Sequence, residues 1–301
     1  MELWIPITIL AAFMQNARSA LQKHLKSHLT TSGATFSRFV FAAPLACLYA
    51  LGLARFFDYD LPLPNPSFLV YAMVGGLSQI GATALLVSLF SSKNFAVGTT
   101  FSKTETVQAA LFGLVLLGET VSAGALVGIA ISLAGVVLIS SRGKTGNQGW
   151  NPRTWLDRSA LLGIASGGLF GISAVSYRAS SLSLEQGDFI IRAAITLAFV
   201  TLFQTLVMGC YMRLREPGQI TAVMASWRVS GLVGLAGMVG SACWFTAMTL
   251  ENAAHVRALG QIELLFTFIA SHVIFRERSS GRELSGIVLV TLGVLLLVLW
   301  H

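Results

Sequence analysis

A chain of 301 residues that is 54% hydrophobic and only 11% charged, with a mean hydropathy of +0.73, is too apolar for a soluble protein, in which about 25% of residues are charged. Its composition calls for a lipid bilayer. The formal charge of +7 might be taken for a nucleic-acid signature, but the basic residues fall in short links between apolar runs and leave no soluble domain for such a site.

Runs near the length needed to cross a hydrocarbon core of about 30 Å can be drawn at 4–22, 34–54, 67–90, 96–116 and 122–141, then at 159–180, 187–210, 229–250, 254–275 and 283–300. The expected fold is therefore an all-α membrane protein with ten transmembrane helices. The first run carries Gln15, Asn16, Arg18, Ser19 and Gln22 and has no small-residue cleavage site, so it reads as a span and not as a signal peptide. Residues 15, 18, 19 and 22 make one polar stripe at helical spacing. Ser173, Ser176, Tyr177 and Ser180 repeat it in the sixth run, 158 residues later. Lipid penalises such a stripe, so both should face the bundle interior or a wet cavity, with plain helix–helix hydrogen bonding as the alternative.

The second and seventh runs open alike, Gly33 to Arg38 and Gly187 to Arg192. Their arginines read as snorkelling to headgroups or pairing with a carboxylate; direct contact with a substrate is the alternative. The third run holds Gly75, Gly76 and Gln79, and the eighth holds Gly234, Gly237, Gly240 and an interior Trp244. Small residues let helices approach closely. An indole N–H at that depth needs a partner, which leaves packing or a cavity wall for Trp244. Cys47, Cys210 and Cys243 all fall inside runs and form no CxxC pair, so they read as buried thiols. The fifth and tenth runs, with Gly124, Gly128 and Gly135 answered by Gly286 and Gly293, read as scaffold helices.

Residues 94–139 and 252–297 align without a gap at a shift of 158, matching at 12 of 46 positions. The matches include Asn94/Asn252, Glu105/Glu263, Glu119/Glu277, Gly128/Gly286 and Gly135/Gly293, so charges and glycines recur along with the aliphatics. The chain thus divides into a repeat over 1–141, a linker over 142–158 and a second repeat over 159–301. Five spans per repeat is an odd number, so the two copies enter the membrane from opposite sides. Two inverted five-helix repeats make inward-open and outward-open states nearly exchangeable, which is the architecture of alternating access.

The ten-span plan, the paired repeats and Glu105 followed by Gly118-Glu119-Thr120 resemble the EamA branch of the drug/metabolite transporter superfamily. The resemblance covers the whole chain and implies transport of a small solute, from a range that includes amino acids, sugars, drugs and other metabolites. In one respect the chain departs from that family. Proline often follows the fourth- and ninth-helix glutamates there, whereas Thr106 and Leu264 follow them here, so neither point has the proline that would break the helix.

Ionisable residues inside spans invite a functional reading, since each is costly to insert. Lys103, Glu105, Arg257, Glu263 and His272 qualify, with Gln261 as a neutral companion. At 100° per residue, Lys103 and Glu105 point to different walls of a continuous helix, while Arg257 and Gln261 share a face that the repeat places opposite Thr99 and Lys103. The expected substrate site is a central cavity lined by Thr99, Lys103, Arg257 and Gln261 with Gln15, Ser19, Gln79, Tyr177 and Trp244. Two cations there suit a carboxylate-bearing solute; the alternative is that both only pair with glutamates of neighbouring helices. Glu105 and Glu263 suit structural pairing or proton coupling, and their recurrence in both halves favours the first. Glu119 and Glu277 lie at helix ends and read as caps. His255 and His272 are 17 apart, no metal-ligand cluster is evident, and no cofactor is expected.

The function expected is secondary active transport of a small amphipathic metabolite, amino-acid-like or otherwise carboxylate-bearing, or of a drug, in the direction of export. A membrane-embedded enzyme and a non-transport scaffold or receptor are the alternatives. The expected partners are the solute and the lipid bilayer, with no nucleic acid, and the protein is expected as a monomer or homodimer in the cytoplasmic (inner) membrane. The odd-numbered loops hold 13 Lys and Arg and the even-numbered loops two, Arg55 and Arg178. By the positive-inside rule the odd loops are cytoplasmic and both termini lie outside, whereas the resemblance implies cytoplasmic termini. The charge asymmetry is followed here.

Overall fold

The computed structural model describes residues 2–57, 61–89, 101–140, 158–266, 269 and 281–300, and every element among them is helical. The first half contributes α1 (Trp4–Leu25), α2 (Thr31–Phe56), α3 (Pro66–Leu89), α4 (Glu105–Leu117) and α5 (Ala123–Ser140). The second contributes α6 (Arg158–Leu182), α7 (Phe189–Arg215), a short α8 (Gln219–Ala225), α9 (Trp227–Leu250), α10 (Ala253–Leu259), a 3₁₀ turn (Gly260–Ile262) and α11 (Gly281–Trp300). Among the described helices, α2, α3, α6, α7 and α9 are long and apolar enough to cross a membrane, and shorter apolar helices accompany them.

The ends follow from local chemistry. Thr30 accepts a hydrogen bond from the Gly33 N–H (3.1 Å) and starts α2, and Asn252 does the same for Ala254 (2.9 Å) at the start of α10. Such caps satisfy amides that have no carbonyl partner within the helix. Gly118 takes the left-handed conformation (φ 66°) and stops α4, and its N–H returns to the Leu114 carbonyl at 3.1 Å. Hydropathy gave no sign of α8, because its seven residues are too few to form a run.

Packing exchanges elements between the halves. The first helix of each half lies against the third spanning helix of the other, α1 on α9 and α3 on α6. A shift of 158 residues converts one of these pairs into the other, and maps α2 on α7 and α5 on α11 onto themselves. In the α5/α11 contact backbone meets backbone. A Cβ added to Gly128 would stand 2.7 Å from the Gly293 carbonyl oxygen, and one on Gly135 would stand 2.6 Å from that of Gly286. As the number rises along α5 it falls along α11, so these equivalent helices run antiparallel. Their backbones touch where glycines recur in both repeats.

Gly135→Leu is accordingly expected to lower folded yield and melting temperature, because the obstacle is backbone that cannot rotate away; overpacking of this kind costs about 1–3 kcal/mol. Gly52→Leu should leave both unchanged, since nothing lies within 4 Å of a Cβ there. Size-exclusion yield and a thermal melt of the two variants check the contrast.

The surface between the helix ends is aliphatic. Leu48, Leu51, Leu161, Leu206 and Leu232 are all exposed, which suits acyl chains. The polar stripe of α6 turns the other way, and Ser173, Ser176, Tyr177 and Ser180 are buried. A groove of about 600 Å³ between α4 and α5 is walled by residues such as Val107, Leu111, Leu126 and Leu133. It has no charged side chain in its wall, so it offers a solute nothing that lipid does not.

Candidate functional site

Both halves interrupt a helix at the same register. Lys103 and Thr104 form a turn ahead of α4, with the Thr104 N–H and hydroxyl both donating to the Phe101 carbonyl (3.2 and 2.6 Å). In the second half α10 ends at Leu259, and a 3₁₀ turn over Gly260–Ile262 precedes Glu263. Lys103 and Gln261 are equivalent under the repeat, so the two breaks correspond even though neither has a proline. This corrects one expectation. The rotation of 100° per residue does not carry across the turn, and Lys103 and Glu105 border the same small cavity instead of opposite walls.

The breaks bring the ionisable residues together in crossed pairs. Lys103 of the first half is salt-bridged to Glu263 of the second, and Arg257 Nε of the second lies 2.9 Å from Glu105 Oε1 of the first. Gln15 of α1 donates to the other Glu263 oxygen at 2.7 Å, and Asn16 donates to its carbonyl at 3.2 Å. Gln261 is held from two sides, donating to Thr106 Oγ1 (2.8 Å) and accepting from Ser132 Oγ (2.5 Å). The Arg257 guanidinium lies 4.7 Å over the Trp244 ring, a cation–π contact. Only a glycine fits at 260, because a Cβ there would collide with that ring. The space between these residues is about 20 Å³, room for about one water.

Arg257 Nε and Glu105 Oε1 attract as charges but are not aligned for a hydrogen bond, and together with Trp244 Nε1 they are buried polar atoms without a hydrogen-bond partner among the described residues. Native interiors leave few such atoms. All three belong to residues that line the same cavity.

Of the residues expected to line the site, Gln15, Lys103, Trp244, Arg257 and Gln261 meet at this cavity with Glu105 and Glu263. Gln79 and Tyr177 belong to a separate buried network. Tyr177 OH donates to Gln79 Oε1 (3.1 Å), and Gln204 of α7 donates to the same oxygen (2.9 Å) and to the Gly76 carbonyl (3.1 Å). Tyr177 also stacks on Phe245 with ring centroids 4.4 Å apart. Ser19 donates back to the Gln15 carbonyl of its own helix at 2.8 Å. Thr99, like His272 and Glu277, lies outside the described residues. Gln204 was not singled out in the sequence, since a lone amide in the seventh run has no counterpart in the second.

Arg38 also departs from its sequence reading. It neither reaches headgroups nor pairs with a carboxylate among the described residues; it is 5% exposed, and its Nη2 donates to Ser241 Oγ of α9 at 3.2 Å. Arg178, at the end of α6, does find a carboxylate. Its Nε donates to Glu119 Oε1 at 2.6 Å, and its Nη1 donates to the carbonyls of Met248 and Glu251, both at 2.6 Å. Glu119 therefore reaches the other half of the molecule, whereas the sequence suggested a cap. Among the described residues no group of three His, Cys, Asp or Glu could hold a metal ion.

The family described as "EamA-like transporter family" matches this chain twice, over residues 2–141 and 157–299. No curated protein matches. Among solved structures 29 chains match. One of them, described only as "Crystal structure of protein", is 18% identical, with a TM-score of 0.69 over 98% of this chain and 97% of that one. At that identity the likeness speaks for the fold.

Proposed function

Because the chain belongs to the EamA-like transporter family and is a multi-pass membrane protein, we propose that it is a secondary active transporter that carries a small carboxylate-bearing solute across the cytoplasmic membrane by alternating access. The proposal takes the chain as ten spans in two inverted repeats, 1–141 and 159–301, joined by the linker 142–158. The antiparallel packing of the equivalent helices α5 and α11 supports inversion. The observation that carries the functional reading is the crossed ion pairing at the two helix breaks.

Each cation there already holds a carboxylate. A solute carboxylate that takes the place of Glu105 on Arg257, or of Glu263 on Lys103, exchanges like for like at the cation, while the displaced glutamate takes up water or a proton so that no bare carboxylate is left buried. Because each pair joins one half to the other, the exchange loosens the contact between the halves as the solute binds. Substrate binding and a change of access are thereby linked through the same atoms. Trp244 and Gln261 supply an apolar wall and an amide for the remainder of an amphipathic solute. Export is the proposed direction.

Counterflow in sealed proteoliposomes tests the reading. Vesicles preloaded with an amino-acid or carboxylate mixture should accumulate the labelled solute transiently, and Lys103→Ala and Arg257→Ala should abolish the accumulation per folded molecule, beyond the loss of yield that each causes by stranding a glutamate. An enzyme or receptor would give turnover or binding with no counterflow. Orientation is read separately: a Cys introduced into 142–158 should resist an impermeant thiol reagent added outside intact cells, and ready labelling would place the odd loops outside.

A further inference from the structure

Among the described residues four cations, Arg18, Arg38, Lys103 and Arg257, gather around α1, α2, α9 and α10, against two carboxylates. Glu105 and Glu263 are committed to Arg257 and Lys103, which leaves Arg18 and Arg38. These two come from facing helices and meet at Gly237 of α9. A Cβ at that glycine would stand 3.2 Å from Arg38 Cγ and 3.5 Å from Arg18 Cδ. The ionisable groups close enough to act on Arg38 are Arg18, Tyr177 and Arg257, and none is a carboxylate. The only side-chain hydrogen bond that Arg38 makes among the described residues is to the neutral Ser241. Arg18 Nε is a buried atom without a hydrogen-bond partner among the described residues.

A buried Arg38 and a half-buried Arg18 brought to the same glycine repel each other, and among the described residues neither has the counter-charge that normally accompanies buried ions. Guanidinium is also the side chain best shaped to hold a carboxylate or phosphate through two parallel hydrogen bonds. We propose that Arg18 and Arg38 form an anion-binding site, with Ser241 at its edge, that takes one anionic end of a soluble dianion, either a carboxylate of a dicarboxylate or the phosphate of a phosphate ester. This deepens the proposed function and rests on it only for placing the site on the solute path. With Arg257 as an electrostatic neighbour, the pair would hold one anionic end of a solute whose other end engages the crossed ion pairs.

Thermal melts of the purified full chain in neutral detergent test the site, with succinate, inorganic phosphate and acetate as probes. Succinate or phosphate is expected to raise the melting temperature of the wild type by roughly 2–4 °C, the range that a kcal/mol of ligand stabilisation gives at this size, and acetate by less. Arg38→Gln is expected to melt higher than wild type without ligand, since an unpaired buried charge has been removed, and to lose the response to dianions. Arg18→Gln should do the same independently, while Arg38→Lys should keep part of the response.

A wild type indifferent to both dianions overturns the proposal. So do variants that keep the full response, and so does failure of both Gln variants to fold, which would make the arginines structural. A response confined to added phosphatidylglycerol would assign the cluster to a lipid headgroup and overturn it equally. Counterflow separates this proposal from the transport reading: flux that ignores Arg18 and Arg38 refutes the anion site alone, and an Arg38-dependent dianion response without flux refutes transport alone.

Discussion

Glu263→Gln is expected to cut folded yield and transport together, and adding Lys103→Met to that variant is expected to restore the yield without the transport. Glu263 holds Lys103 with one carboxylate oxygen and accepts from Gln15 with the other, so its neutralisation strands a cation in the interior. Removing one partner of a fully buried pair costs about 3–5 kcal/mol, and an exposed pair is worth no more than about 1. The two side chains are 24% and 14% exposed, which places this pair between those limits. Taking away the stranded ammonium as well removes most of that penalty, because methionine beside a neutral glutamine leaves no charge unpaired and the amide oxygen can still accept from Gln15. Glu105→Gln should be milder, since Glu105 faces Arg257 without an aligned hydrogen bond and Arg257 keeps its contact with Trp244. Parallel melts and counterflow assays of the four proteins check this. Equal losses for the two glutamate variants, or a double variant that transports, would refute the assignment. A shift in the pH dependence of transport in folded Glu105→Gln would indicate proton coupling.

The repeat makes the two glutamates equivalent in sequence, but their surroundings in the structure differ. Recurrence at a shift of 158 identified Glu105 with Glu263 and Gly128 with Gly286, and these are the positions that pair across the halves. The repeat is readable because inversion makes one sequence serve two equivalent contacts. The partners are not duplicated: Gln15 has only Ser173 as its counterpart, a hydroxyl too short to do the same work, so the two carboxylates end in different surroundings. The helix breaks were hidden for a different reason. Nothing at Lys103 or Gln261 marks an interruption in an apolar run, and without proline the turn depends on tertiary partners, such as Thr106 and Ser132 for Gln261. The Arg18–Arg38 neighbourhood was likewise invisible, since the two arginines are brought together by α9 and no spacing along the chain relates them.

The last expectation concerns Arg178. Arg178→Gln should open the end of the molecule that carries the even-numbered loops. At that end Arg178 ties Glu119, which follows α4, to the carbonyls of Met248 and Glu251 at the end of α9. Asn65 donates to the Ser183 carbonyl at 2.6 Å, and the Ser181 and Thr249 hydroxyls share a bond of 2.7 Å. Loops from both halves are thus drawn to one guanidinium, and access from this side requires those bonds to part. Each hydrogen bond to a charged group is worth about 1.5–3 kcal/mol, and about 1.4 kcal/mol is a factor of ten in a population. Losing the guanidinium should therefore raise the fraction open at this end at least tenfold. Ser181 is 1% exposed, so a Ser181→Cys reporter should react slowly with an impermeant thiol reagent once Cys47, Cys210 and Cys243 are replaced by Ser. Adding Arg178→Gln should speed the reaction about tenfold or more, and only when the reagent is outside the cell if the odd loops are cytoplasmic. An unchanged rate in a protein that still folds would mean that Arg178 braces the α9 end without controlling access. Acceleration from the cytoplasmic side would keep the gate and reverse the orientation, because the 13-to-two distribution of basic residues among the loops would then be pointing the wrong way.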